Sequence, residues 1–158
     1  MLNLKLTRWW VIAPELFVET ARAFNVFVPT DNSLYRDQPL TTQTGNIYRS
    51  RSIGFYYQKH GANVYPLIRW GDEHTYTDAV LPEPVAFAGA PRNSIVVVSA
   101  YGCIRRQENK RRFQAGLESM IDVLAPNPLL LHGSMPKPFF RMSYQGLCLS
   151  SSPIGSHA

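Results

Sequence analysis

The stretch Ser94-Ile95-Val96-Val97-Val98-Ser99 is the strongest strand signal in the sequence. A continuous β-branched run is typical of a strand that is buried on both faces, as strands are in a parallel sheet. A helix is predicted next, over Gln107 to Leu124, and Pro126 ends it. Leu129-Leu130-Leu131 then predicts a second short buried strand, which ends at His132-Gly133. The apolar residues of that helix recur at helical spacing, at Phe113, Leu117, Met120, Ile121 and Leu124. This order of elements predicts a β-α-β unit with parallel strands.

The same alternation continues toward the N-terminus. Asn25 to Thr30 (NVFVPT) and Asn63 to Ile68 (NVYPLI) are predicted strands, and Leu40 to Lys59 between them has a helical rhythm. Pro66 lacks a ladder donor and therefore indicates a strand end or an edge at that point. We expect irregular chain over Thr75 to Asn93, where prolines and a glycine break any long element.

These elements predict a single α/β domain with sequential β-α units and a mainly parallel sheet, as a partial barrel or an open sheet. A chain of 158 residues, 45% of them hydrophobic, suffices for one core. We expect the domain over residues 25–133, after an N-terminal extension over 1–24 that includes a helix around Pro14 to Ala23. Residues 134–158 are rich in proline and serine, so we expect a loosely ordered tail, poorly packed beyond about Lys137.

Composition excludes several classes of protein. No apolar run approaches the roughly 20 residues of a membrane span, and Met1 to Leu6 lacks the pattern of a secretory signal, so we expect a cytoplasmic protein without a membrane partner. The two cysteines, Cys103 and Cys148, allow at most one disulfide and form no zinc motif. Glycine-rich nucleotide loops, the G-x-S-x-G elbow and the H-E-x-x-H helix are absent from the sequence.

The loops after the predicted strands carry the candidate functional residues. Because the carboxyl ends of parallel strands share one edge of a sheet, we expect Asp31, Arg69 and Asp72 to converge on one rim. The alternative is that the aspartates and Ser99 cap helices or close turns. The candidate catalytic residues are Asp31, Asp72 and Cys103, and the candidate ligand-binding residues are Arg36, Asp37, Arg69, Tyr101 and His132.

Three kinds of chemistry are open to this rim. Arg69 and Asp72, three positions apart around Gly71, form either an anion clamp or an ion pair that fixes the loop. Asp31 and Asp72 could together hold Mg²⁺ or Mn²⁺. Cys103 precedes a helix whose dipole would lower the pKa of the thiol, although a small apolar residue packed at that junction is the commoner case.

A dense basic cluster marks the start of the helix predicted over Gln107 to Leu124. Positive charge there opposes the helix dipole, so a phosphate or an acidic partner would compensate for it, whereas a solvated basic face needs no partner. The net charge of +5 and the isoelectric point near 9.4 also favour polyanionic partners. The cluster consists of Arg105, Arg106, Lys110, Arg111 and Arg112.

The motifs in this order resemble a bacterial domain-of-unknown-function family that also occurs in phage and mobile-element proteins. The resemblance runs from about Phe27 to Gly133 and implies signature positions at Asp31, Arg36, Asp37, Arg69, Asp72 and Cys103. It implies no activity, and the chain departs from the pattern at Pro82 to Pro84 and after Ser134. The motifs are Asp31 with Ser33 to Pro39, Asn46 to Arg49, Arg69 to Asp72, Gly102 to Ile104 and the helix from Phe113 to Leu124.

We therefore carry two hypotheses forward. The first is an enzyme-like domain that binds a phosphate-bearing or otherwise anionic small molecule at the rim. The alternative is a non-enzymatic module that binds nucleic acid through the basic cluster. The sequence leaves open whether a reaction is catalysed.

Overall fold

A computed structural model describes residues 13–29, 31–103, 105–133 and 148–151. A short 3-10 helix, Pro14–Phe17, opens these ranges, and a second one spans Val85–Phe87. The α-helices are α1 (Val18–Ala23), α2 (Leu40–Lys59), α3 (Glu73–Tyr76) and α4 (Gln107–Leu124). The strands are β1 (Leu67–Ile68), β2 (Val96–Ser99), β3 (Leu129–His132) and β4 (Cys148–Ser151).

The four strands form one open parallel sheet in the order β1-β2-β3-β4. β2 and β3 pair over four residues, from Val96 opposite Leu129 to Ser99 opposite His132. Each strand therefore lies next to the one before it in sequence, and the carboxyl ends of all four point the same way. The predicted α/β class and parallel sheet are confirmed, and the sheet is open rather than closed into a barrel.

The segment predicted as the first strand, Asn25 to Thr30, forms a single parallel bridge between Phe27 and Val64. The Phe27 N–H donates to the Asn63 carbonyl at 2.8 Å, and the Tyr65 N–H donates to the Phe27 carbonyl at 3.0 Å. Pro29 and Pro66 lack N–H groups, so ladder pairing ends after this bridge. The Phe27 segment nevertheless runs parallel to the chain entering β1.

The buried apolar side chains of the described residues form two hydrophobic cores. The sheet core joins β2 and β3 to α4 and includes Val98, Leu117 and Met120. The α2 core surrounds Tyr57, whose side chain is completely buried, and it includes Ala21 of α1. The chain from α1 onward therefore packs with the domain, although it lies within the predicted N-terminal extension.

Local patterns located the helices well. α2, α4 and the helical stretch Pro14–Ala23 have the predicted bounds. The region expected to be irregular, Thr75 to Asn93, contains the 3-10 helix Val85–Phe87 and the end of α3, which begins at Glu73. β4 lies in the predicted tail, where no regular element was expected, and the rest of that tail is outside the described residues, as are residues 1–12. Among the described helices, none is both long enough and apolar enough to cross a bilayer.

Arg51 of α2 forms hydrogen bonds to β1 and to the chain around the 3-10 helix Val85–Phe87. Its guanidinium donates to the carbonyls of Ala88 at 3.0 Å, Leu67 at 3.0 Å and Ala86 at 3.4 Å. Burial lowers the pKa of Arg51 to about 10, so the side chain remains charged at neutral pH. One cation thus satisfies three carbonyl groups of two segments that share no strand ladder.

Replacing Arg51 by methionine should lower the free energy of unfolding by about 3 kcal/mol, because part-buried carbonyl groups lose a charged donor. Arg49→Met is the matched control, since Arg49 is exposed on the same helix, and it should change stability by less than about 0.5 kcal/mol. Urea unfolding followed by circular dichroism measures both. Equal stability of the two variants would contradict this role of Arg51.

Candidate functional site

A cavity of about 430 Å³ opens at the carboxyl ends of β1 and β2, beside the start of α4. Ligands of open parallel sheets commonly bind at this edge, where diverging loops leave a crevice. The lining comes from the loop before α2, both strand ends and α4. It consists of Ser33, Leu34, Tyr35, Arg36, Ile68, Arg69, Trp70, Gly71, Val98, Ser99, Tyr101, Gly102, Cys103, Arg106, Glu108, Asn109, Arg112 and Phe113.

The charge of this lining is strongly positive. Among the residues that the structure describes there are four arginines, Arg36, Arg69, Arg106 and Arg112, and one carboxylate, that of Glu108. Glu108 Oε1 lies 3.0 Å from Nη1 of Arg36 and 3.0 Å from Nη2 of Arg112. One carboxylate oxygen therefore holds two arginines of the cavity together, and all three side chains are 40–60% exposed.

Arg69 connects three segments at the edge of the cavity. Its Nη2 lies 3.1 Å from Oδ2 of Asp31, and its Nη1 donates to the Ser99 carbonyl at 3.3 Å. The arginine side chain is 22% exposed, less than those of the other ion-paired arginines of the cavity. The predicted convergence of Asp31 and Arg69 is thus present as an ion pair.

The inner wall of the cavity is apolar. Ile68 and Val98 are buried in the sheet, and the rings of Trp70 and Phe113 pack with their centroids 5.2 Å apart. The Trp70 indole lies directly against Gly116 of α4, in the space that a Cβ atom would occupy. The missing side chain at Gly116 therefore lets the tryptophan pack closely against α4.

The structure brings together part of each predicted residue set. Arg36, Arg69, Tyr101 and Cys103 line the cavity, and so do Arg106 and Arg112 of the basic cluster. The two sets were predicted as rival sites, yet both contribute to one cavity. The predicted residues outside the lining are Asp31, Asp37, Asp72, Arg105, Lys110, Arg111 and His132.

Asp72 has the capping role that the sequence left open as an alternative. It is the N-cap of α3, and its Oδ1 accepts from the His74 N–H at 3.2 Å. Arg69 pairs with Asp31 instead of Asp72. No group of three or more metal-ligating side chains occurs among the described residues, so the predicted Mg²⁺ or Mn²⁺ site gains no support from a cluster.

Cys103 does not have the lowered pKa that the helix-dipole argument predicted. Burial raises the pKa of its thiol, an effect that Arg69 partly offsets and Asp31 reinforces. α4 begins at Gln107, four positions further along the chain, so the helix dipole acts weakly at the sulfur. The thiol is therefore protonated at neutral pH, as in a packed cysteine.

Ser99 is a cavity residue that the sequence indicated only as a cap or turn former. Its hydroxyl oxygen lies 3.2 Å from Nδ1 of His132, the residue opposite it on β3, and accepts from the Tyr101 N–H at 3.3 Å. Glu108 and Tyr35 also line the cavity without having been predicted as site residues. The four-residue spacing of Glu108 and Arg112 on one helix is the local sequence signal that indicates their ion pair.

A family comparison agrees with this combination of fold and motifs. The chain belongs to a family described as a domain of unknown function, DUF4417, whose model matches residues 4–147. The resemblance predicted over residues 27–133 is therefore confirmed, and the family match extends beyond it on both sides.

Two curated phage proteins are similar to this chain, and both are named Gene 1 protein. The protein of Mycobacterium phage D29 is 30% identical over 123 residues, which cover 78% of this chain and 43% of that protein. The protein of Mycobacterium phage L5 is 29% identical over 123 residues, covering 78% of this chain and 51% of that protein. The chain thus spans about half the length of these relatives. No solved structure matches it.

Gly116→Ala tests the packing of the aromatic wall. Alanine normally stabilises a helix interior by up to about 1 kcal/mol relative to glycine, but here the added methyl group must displace the Trp70 indole. We expect a loss of about 1–3 kcal/mol in the free energy of unfolding. Gly45→Ala on α2 is the control, because its added methyl group meets nothing within 4 Å beyond the adjacent residues and backbone of its own helix. A stabilised Gly116→Ala protein in urea unfolding would contradict the described contact.

Proposed function

We propose that this domain binds a phosphate-bearing or otherwise anionic small molecule in the cavity at the carboxyl ends of β1 and β2. The observation that carries the proposal is the described lining, which holds four arginines and one carboxylate, while a second carboxylate, Asp31, pairs with Arg69 from outside the lining. Guanidinium groups bind phosphate and carboxylate through paired, charge-assisted hydrogen bonds. An anion in this cavity would therefore meet several donors at once.

The start of α4 adds to this preference for an anion. Arg106 occupies the N-cap position, and no side-chain hydrogen bond caps the helix there. Glu108 and Asn109 of the first turn line the cavity. Uncapped N–H groups and the positive end of the helix dipole favour a bound anion, which would also reduce the repulsion between the dipole and the neighbouring arginines.

The Glu108 carboxylate occupies the position between two arginines where an anion would bind. Its carboxylate contacts Arg36 and Arg112 at 3.0 Å each, and a bound phosphate would take over one or both of these donors. The side chain is 60% exposed, so it can leave the arginines without breaking a buried contact. We therefore expect the Glu108 carboxylate to compete with the anion for Arg36 and Arg112.

The basic cluster divides between the cavity, where a small anion would bind, and the exposed surface. Arg106 and Arg112 line the cavity, whereas the exposed Arg105 and Arg111 do not. A duplex would need the exposed members as well. We expect the binding to occur in the cytoplasm. Catalytic roles of Asp31, Asp72 and Cys103, and binding roles of Asp37 and His132, remain predictions.

Arg112→Met should weaken binding of inorganic pyrophosphate roughly 10-fold, because one charge-assisted donor is lost. Arg111→Met is the matched control: it removes the same charge from the neighbouring exposed position and should change the affinity less than about 2-fold. Isothermal titration calorimetry at 50 mM and 200 mM salt measures both. Absence of pyrophosphate binding to folded protein would overturn the proposal. Equal losses in both variants, with oligonucleotide binding that falls steeply with salt, would instead favour the nucleic-acid alternative.

Glu108→Gln should raise the affinity for pyrophosphate by up to about 5-fold, since an exposed ion pair of up to about 1 kcal/mol no longer competes. Glu118→Gln makes the same charge change at an exposed position of α4 outside the lining, and it should leave the affinity nearly unchanged. The same calorimetry compares the two variants. A weaker affinity of the Glu108→Gln protein would show that the carboxylate assists binding and does not compete with it.

A further inference from the structure

We infer that the anion is a nucleotide, whose planar base occupies the aromatic part of the cavity while its phosphate meets the arginines. This inference rests on the proposed anion site and names its ligand class. It follows from three features of the cavity that an inorganic anion leaves unexplained: an apolar wall, two exposed tyrosines and the volume.

The apolar wall lies next to the arginines. Trp70 and Phe113 pack together beside the buried side chains of Ile68 and Val98, and all four line the same cavity as Arg112. Ile68, Val98 and Phe113 are already buried, whereas Trp70 is partly exposed, and a phosphate ion would leave its indole in contact with water. A ligand that carries a flat ring beside its phosphate would cover the indole and so gain the free energy of apolar burial.

Two tyrosines at the cavity are unusually open to solvent. Tyr101 is 73% exposed and Tyr35 is 57% exposed, although both line the cavity. The backbone of each is held in place: the Tyr101 N–H donates to the Ser99 hydroxyl at 3.3 Å, and the Tyr35 carbonyl accepts from the Gln38 N–H at 3.0 Å. Exposed rings next to arginines are the groups on which proteins stack nucleobases.

The volume of the cavity also suits such a ligand. About 430 Å³ falls within the roughly 300–1,000 Å³ of sites for organic ligands of nucleotide size. The cavity is open at its mouth, so either a free nucleotide or the terminal nucleotide of a single strand presents the required chemistry. Both sources share the base, the sugar and the phosphate.

The ligand comparison uses three probes that differ by one group at a time. AMP, ribose 5-phosphate and inorganic phosphate are titrated into the full chain by calorimetry, with UMP as a second base. We expect AMP and UMP to bind about 5- to 150-fold more tightly than ribose 5-phosphate, the range that stacking of one base gives. Equal affinities for AMP and ribose 5-phosphate would overturn the inference and leave anion binding intact. Failure of every phosphate compound, pyrophosphate included, would overturn the proposed function itself.

Variants of Tyr101 test where the base binds. Tyr101→Ala should lose most of the preference for AMP over ribose 5-phosphate, whereas Tyr101→Phe should keep it, because the ring remains. Tyr48→Ala removes a ring that is 72% exposed on α2, outside the cavity lining, and should keep the full preference. An unchanged preference in Tyr101→Ala would contradict stacking on this ring. A single-stranded oligonucleotide with a 5′-phosphate, compared with AMP, identifies the source by which of the two binds more tightly.

Discussion

The cavity depends on the position of Arg69. This residue follows β1 directly, and its guanidinium reaches both the Asp31 carboxylate, at 3.1 Å, and the Ser99 carbonyl at the end of β2, at 3.3 Å. Because these contacts join three segments at one edge of the sheet, they fix the spacing between the loop before α2 and the ends of two strands. The side chains of Arg69 and Asp31, 22% and 35% exposed, are less open to solvent than those of the Glu108 pairs, so salt screens this ion pair less.

Local patterns in the sequence were sufficient for the long helices and for the middle of the sheet. The apolar stripe of α4 predicted the bounds of that helix, and the β-branched run from Ser94 to Ser99 predicted β2, which spans Val96–Ser99. The Phe27 segment failed as a full strand because two prolines limit its pairing to one bridge. β4 has no comparable signal: its serine-rich chain forms a strand only through its pairing with β3, and such long-range pairing cannot be predicted from one segment.

In the site, too, the sequence predicts which residues follow the strands but not the contacts between residues far apart in the chain. Of the polar residues predicted after parallel strands, Arg36, Arg69 and Tyr101 lie in the cavity lining, and their binding roles stay predictions. The contact of Arg36 with Glu108 joins residues 72 positions apart, and the fit of Trp70 against Gly116 depends on how α4 crosses the sheet, so neither could be predicted. Helical geometry explains why the basic cluster divides: Glu108 and Arg112 share one face of α4, while Arg111 is turned about 100° away.

The central claim is that anions bind between the arginines of the cavity and the first turn of α4. Crystals of the protein soaked in tungstate, with anomalous scattering recorded at the tungsten edge, test this claim most directly, because tungstate has the charge and shape of phosphate and its position is observed without assumption. The account predicts an anomalous peak within hydrogen-bonding distance of Arg112 and at least one other arginine of the cavity. Peaks confined to the exposed side chains of Arg105 and Arg111, with none in the cavity, would contradict it.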